Sequence, residues 1–352
     1  MPVGALLVDF TLTIAVSCAA AASALIAYVP ELAPWRVPLA CGLAGAVAAA
    51  CLVGHRARVA FATATLAFVA LSVVVIAGGF GAERAAEAPR LVGDAALGAV
   101  VLAMPLGMAL ATGLEAPSNA IAQLGELDDA GRRRFGQLTI WIMLAVVGSI
   151  TLAFCALAVR LNVGSPPADS TLLADVARRA SPTETTFAAF QGASALLLLA
   201  AAASSYLAGS GLLAALARHG SDGDGLLPRR FGGANRFHVP AWGVALLAVA
   251  ALAIVAASRG RDQEIVRFYA VAVFASFLGA LVGAGRLALR DRRPWAFAVD
   301  ALGAALVVFV LALNLRRVDP VVALGASTAI STYLWRAWVA RGRPAGVSGV
   351  LR

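Results

Sequence analysis

The chain predicts an all-α protein: a polytopic transmembrane helical bundle of about ten membrane-spanning helices. Three observations point there. Hydrophobic residues make up 61% of the 352 and charged residues only 13%, with a mean hydropathy of +0.86. A soluble domain of this size needs far more charge on its surface. Apolar runs recur at close to the ~20 residues that a helix needs to cross a hydrocarbon core about 30 Å thick. The breaks between runs hold arginine, proline and glycine, as the connections of a spanning chain do.

The first run covers 4–28. It lacks a basic leading segment, and Asp9 interrupts it, so it predicts a retained membrane helix and not a signal peptide. Further runs cover 37–53, 59–80, 91–114, 137–159, 186–208, 239–257, 265–287, 295–313 and 318–340. Between them stand Pro30 and Pro34, Gly79 and Gly81, Ser165-Pro166-Pro167, and the polar stretch from Arg218 to Pro240.

Orientation follows from arginine, which supplies all 28 basic residues and a formal charge of +9. With the N-terminus in the cytoplasm, seventeen of the 28 fall inside, in clusters such as Arg132–Arg134 and Arg290–Arg293. The excess predicts a multi-pass protein of the cell membrane with both termini cytoplasmic. An even number of spans agrees. Arg178 and Arg179, in a longer outer connection, dilute the bias.

Several classes are excluded. A nucleic-acid binder gathers its arginines on one face; here they sit in short loops between spans. The four cysteines, Cys18, Cys41, Cys51 and Cys155, lie in or beside apolar segments with no metal-ligand spacing, and predict packed small residues. His55, His219 and His238 are far apart in loops, so no metal centre is expected. Gly209 and Gly211 follow no strand and make no nucleotide fingerprint. No catalytic triad or phosphate loop appears, so neither an enzyme nor a cofactor is expected.

The polar residues inside the spans carry the functional signal. Positions 9, 13 and 17 share one face of a helix. Asp9, Thr13 and Ser17 thus form a stripe of one carboxylate and two hydroxyls. Ionisable residues at membrane depth are costly and turn toward partners or cavities. Oxygen ligands of this kind hold hard cations, and a carboxylate accepts protons. Thr13 and Ser17 equally fit hydroxyls bonded to the carbonyl four residues earlier. Asp9 equally fits an interfacial position near the helix start.

The fourth span, "AMPLGMALATGLEAPSNAIAQLGELDDAGRRR", carries Gly107, Thr112, Gly113, Glu115 and Pro117. Broken helices of this composition build substrate and ion sites in transporters; a plain helix end and loop fits the same residues. Glu115 could relay protons. Tyr269, in "RFYAVAVFASF", is a site residue or an interfacial anchor. Ser204, Ser205 and Ser210 in "AAASSYLAGSG" favour close helix packing.

The stretches "LLVDFTLTIAVS", "TGLEAPSNAI", "SSYLAGSGLLAALARHGSDGDGLLPRRFG" and "FYAVAVFASF" resemble, in this order, segments of the amino acid–polyamine–organocation permeases. The closest branch is similar to the KimA-type potassium importers of the Kup group. The resemblance spans nearly the whole chain. It implies a partial form of a fold with five-plus-five inverted repeats. Residues 1–287 would form the transporter core, matching family helices three to ten. Residues 295–340 would be two peripheral helices, and 341–352 a cytoplasmic tail. It also implies cation ligands at Asp9, Thr13, Ser17, Thr112 and Tyr269, proton coupling at Glu115, and a broken helix around Gly107, Gly113 and Pro117.

One departure is large. The family has twelve helices and this chain begins at the third, without the first helix that normally adds an Asp and a Tyr to the site. The expectation is an upstream start or a shortened form that no longer transports. The expected function is proton-coupled uptake of a small cation, potassium first. An amino acid permease and a non-transporting membrane protein are the alternatives. The partners expected are the potassium or amino acid substrate, protons, the bilayer and, at most, a second copy of the chain.

Overall fold

The computed structural model describes residues 2–53, 57–82, 128–164, 170–218, 225–314 and 319–340, together with positions 98, 100, 101 and 166. Among the described residues every regular element is helical. The order is α1 (Pro2–Tyr28), a 3-10 turn (Pro30–Trp35), α2 (Arg36–Val53), α3 (Ala57–Gly81), α4 (Asp129–Arg160), α5 (Leu172–Ala180), α6 (Glu184–Arg218), a second 3-10 turn (Arg229–Gly232), α7 (Ala241–Ala257), α8 (Asp262–Arg290), α9 (Pro294–Asn314) and α10 (Asp319–Ala340). Seven of these helices contain stretches long and apolar enough to cross a membrane; α7, at 17 residues, is shorter.

Nine of the ten expected spans coincide with α1–α4 and α6–α10. The fourth, 91–114, lies outside the described residues except for helical positions 98, 100 and 101. Two helices outrun their apolar windows. α4 begins eight residues early and takes in Arg132–Arg134, because Asp128 caps it and accepts from the Gly131 N–H at 2.8 Å. α6 continues through Ser210 to Arg218.

The connection between α4 and α6 also contains a helix that no apolar window announces. Thr171 caps α5, accepting from the Ala174 N–H at 3.1 Å, and Arg178 and Arg179 occupy its last turn. Its buried face is Ala174, Val176, Ala177 and Ala180, a helical spacing too short and too alanine-rich to register as a span.

Three helices stop in the same way. After α4, α7 and α8 a residue takes the left-handed conformation: Asn162 (φ 49°), Arg259 (φ 54°) and Arg292 (φ 55°). In each, the next N–H reaches back to close the last turn: Val163 to Ala158 O, Gly260 to Val255 O and Arg293 to Ala288 O, all at 2.8–2.9 Å. This is the Schellman closure, and glycine usually sits at its left-handed position.

The chain divides into two compact units. The first comprises Met1–Ser23, Leu32–Thr63 and Ala195–Arg352. Its core is built from small residues, among them Ala15, Ala19, Ala40, Ala44, Ala202 and Ala251, with Cys18 and Cys51 in the same cluster. All four cysteines are free thiols. Within this unit α2 packs on α7, and α8 packs on α9 and α10. The second unit comprises Ala24–Glu31 and Ala64–Ser194. Its core is aromatic and branched: Phe154, Phe187, Phe190, Val75, Leu157 and Val176.

The outward faces suit lipid. α4 exposes Leu138, Trp141, Leu152 and Val159, and α9 exposes Val299, Leu302 and Phe309. Apolar faces this extensive need a hydrocarbon environment to cover them.

Candidate functional site

α1 carries the predicted stripe. Asp9 is 4% exposed and Ser17 5%, while Thr13 is half-buried. Asp9 and Thr13 both take part in interactions within the structure. Leu12, Ile14, Ala15 and Cys18 on the same stretch belong to the small-residue core. A buried carboxylate in an apolar helix is the feature that composition alone marks as costly, and here it is buried within the protein.

α6 approaches α1 closely beside this stripe, because Gly209 leaves room. A Cβ on Gly209 would stand 3.3 Å from Phe10 and 2.7 Å from Leu247. One residue on, a Cβ at Gly243 of α7 would stand 2.9 Å from Ser210. Ser210, fully buried, donates to Leu207 O within its own helix, and Ser204 donates to Ala201 O. Ser210 sits at the close approach expected of these serines, its hydroxyl satisfied within its own helix; Ser204, also bonded within the helix, is exposed. Thr11 behaves likewise, donating to Leu7 O at 2.8 Å.

The remaining predicted residues are placed only in part. Gly107, Thr112, Gly113, Glu115 and Pro117 lie outside the described residues. Tyr269 stands on α8, and its side chain lies outside them as well. Among the described residues no group of His, Cys, Asp and Glu could hold a metal ion.

A second polar centre, with no counterpart in the sequence reading, ties three helix ends together. The Arg36 guanidinium, 9% exposed at the start of α2, donates to Ser23 Oγ at 2.9 Å. Ser23 Oγ in turn donates to Asp262 Oδ1 at 2.9 Å, at the start of α8. Gly260 makes the approach possible: at φ +68° its Cα lies against Arg36, where a Cβ would come within 3.1 Å of Cγ. Ser23 and Asp262 are 239 positions apart, so no local spacing signals their contact. The one available cue was an arginine directly after the turn-forming "PELAPW".

Asn235 is a further unforeseen residue. Its side-chain amide donates to Leu52 O at 2.8 Å, and its carbonyl accepts from the Phe237 and Val239 N–H groups. One side chain therefore caps the end of α2 and folds the turn that leads into α7. A small groove lined by Val3, Gly4, Ser331, Leu334, Trp335 and Trp338 lies at the start of α1. It has no ionisable lining and does not coincide with the Asp9 stripe.

A family model described as amino acid permease matches residues 1–336. The chain belongs to the amino acid permease family. No curated protein matches it. The permease match takes in α1–α9, most of α10, the Asp9 stripe and the Arg36 centre. It makes the protein a multi-pass membrane transporter of small solutes, consistent with the apolar helices. The match carries the permease family and leaves the potassium-importing branch unassigned.

Proposed function

We propose that this permease is a proton-coupled secondary transporter whose cargo presents a positive charge to Asp9. An amino acid, offering its ammonium group, is the cargo that family membership favours. The observation behind the proposal is the burial of the Asp9 carboxylate on α1, in line with Thr13 and Ser17. A carboxylate kept from water favours a cation that can replace its hydration. In this reading residues 1–287 form the transport core and 295–340 two peripheral helices. Thr112 and Tyr269 complete the cargo site, the broken backbone about Gly107, Gly113 and Pro117 meets the cargo's polar ends, and Glu115 carries the proton.

Potassium is the second reading, supported by the all-oxygen character of the stripe. Carboxylate and hydroxyl oxygens suit a hard cation with no need of a hydrogen-bond donor.

Uptake into vesicles under an imposed proton gradient tests both. The purified chain is reconstituted and given radiolabelled amino acids or a rubidium tracer. Gradient-dependent amino acid entry that Asp9→Asn removes supports the first reading. Rubidium entry alone, with the same loss, supports the second. Undiminished uptake in Asp9→Asn would overturn the role of the stripe under either cargo.

A further inference from the structure

We propose that the turn between α8 and α9 is a binding site for the headgroups of anionic phospholipids. Four arginines crowd it: Arg286, Arg290, Arg292 and Arg293, all exposed, with Asp291 as the one acid among them. The turn joins two membrane spans, Val273–Arg290 and Pro294–Leu313, so it lies at the level of the headgroups. Trp295 beside it is 82% exposed. An indole at that depth sits in the interfacial zone.

Comparison with other arginines gives the turn its meaning. Several other described arginines have their guanidinium groups engaged within the protein. Arg160 donates to Phe80 O and Ala82 O, Arg179 to Leu161 O, and Arg218 to Gly232 O. Arg178 lies 4.4 Å over the Phe187 ring, and Arg261 pairs with Glu264. The four arginines of this turn have no such contact among the described residues. They are held in place all the same. The Asp291, Arg292 and Arg293 N–H groups all bond back into α8, and Phe297 N–H bonds to Arg293 O. Arg292 takes the left-handed position where glycine costs least. A short, closed turn that keeps a charge where glycine would be easier presents several guanidinium groups together. Planar guanidinium matches phosphate with paired hydrogen bonds. The bilayer itself supplies phosphate at this depth, and clusters of arginine beside a spanning helix attract anionic lipid.

The test uses the whole chain in vesicles of phosphatidylcholine containing phosphatidylglycerol. The bromine quencher is placed on the chains of one lipid or the other, at equal total bromine. Stronger quenching of tryptophan fluorescence by brominated phosphatidylglycerol is expected, reflecting a roughly fivefold local enrichment, the factor that corresponds to about one arginine's attraction. The excess should vanish in Trp295→Phe and in the triple variant R290Q/R292Q/R293Q. It should persist when the same three positions become lysine, and in Arg259→Gln elsewhere in the chain. High salt should reduce it. Should the triple variant fail to fold, R290Q/R293Q, which leaves Arg292 in place, is measured the same way. Equal quenching by both lipids in the native chain, or an excess that survives the glutamine variants, overturns the site and marks the turn as a solvated charge cluster.

Discussion

The two units solve the same packing problem with opposite materials. The first is made of alanine, serine and glycine, which let helix backbones come close: Gly209 against Phe10 and Leu247, Gly243 against Ser210. The second fills its interior with rings. Phe190 packs against Phe68 at 5.5 Å and Phe154 at 5.8 Å between centroids, and Tyr28 meets Phe187 at 6.1 Å. Their arginines differ too. In the first unit Arg36 reaches a side-chain relay through Ser23 to Asp262. In the second, Arg160, Arg178 and Arg179 cap exposed helix carbonyls. Cations there also offset the negative ends of helix dipoles. The lesson concerns tolerance. Close-packed small residues leave no room for addition, whereas a ring cluster has no substitute for what is removed.

The largest effect should therefore come from truncation in the second unit. Phe190→Ala removes a fully buried ring and should cost about 3–5 kcal/mol. A thermal melt in detergent followed by circular dichroism reads it. A loss below that of an ordinary surface change would show that the ring cluster is dispensable.

Arg36→Met comes next. It leaves Asp262 facing Ser23 with its cation gone, and loss of one partner from a buried charge network costs about 3 kcal/mol or more. Transport should fall with stability, since α1, α2 and α8 lose their common tie. Arg179→Met, which gives up carbonyl contacts at a more exposed helix end, should be milder. Equal losses for the two would erase the distinction between relay and cap.

Enlargement in the first unit ranks third. Gly243→Val places a side chain within 2.9 Å of Ser210, and overpacking of this kind costs about 1–3 kcal/mol. The comparison sharpens if Gly243→Val together with Ser210→Gly recovers part of the loss. The smallest change is Thr171→Ala at the start of α5, about 1 kcal/mol for a lost cap. Faster proteolysis of the connection between α4 and α6 would report it.

Legibility in the sequence followed the range of the interactions. The spans were legible because a helix in lipid must satisfy its backbone within itself, which demands continuous apolar runs. α5 was not, because its signal is a capping threonine and a short alanine face, both easily lost in a polar connection. Gly79 looked like a breaker at the end of the third span. It lies inside α3 instead, where a Cβ would stand 2.8 Å from both Ala180 and Leu157. Glycine at the end of an apolar run serves as a stop or as a point of close approach, and only the neighbour decides which.

The same division holds for the site. The sequence alone determined that the chain spans a bilayer, that arginine marks its turns, and that Asp9, Thr13 and Ser17 lie along one side of one helix. These are local facts, set by hydropathy and by 3.6 residues per turn. The tertiary structure alone decided that Asp9 is buried, that Gly209 and Gly243 are contact points, and that Arg36, Ser23 and Asp262 meet. Each of those depends on residues far apart in the chain being brought within hydrogen-bonding or van der Waals reach, and no periodicity in one segment encodes which distant segment will cover it.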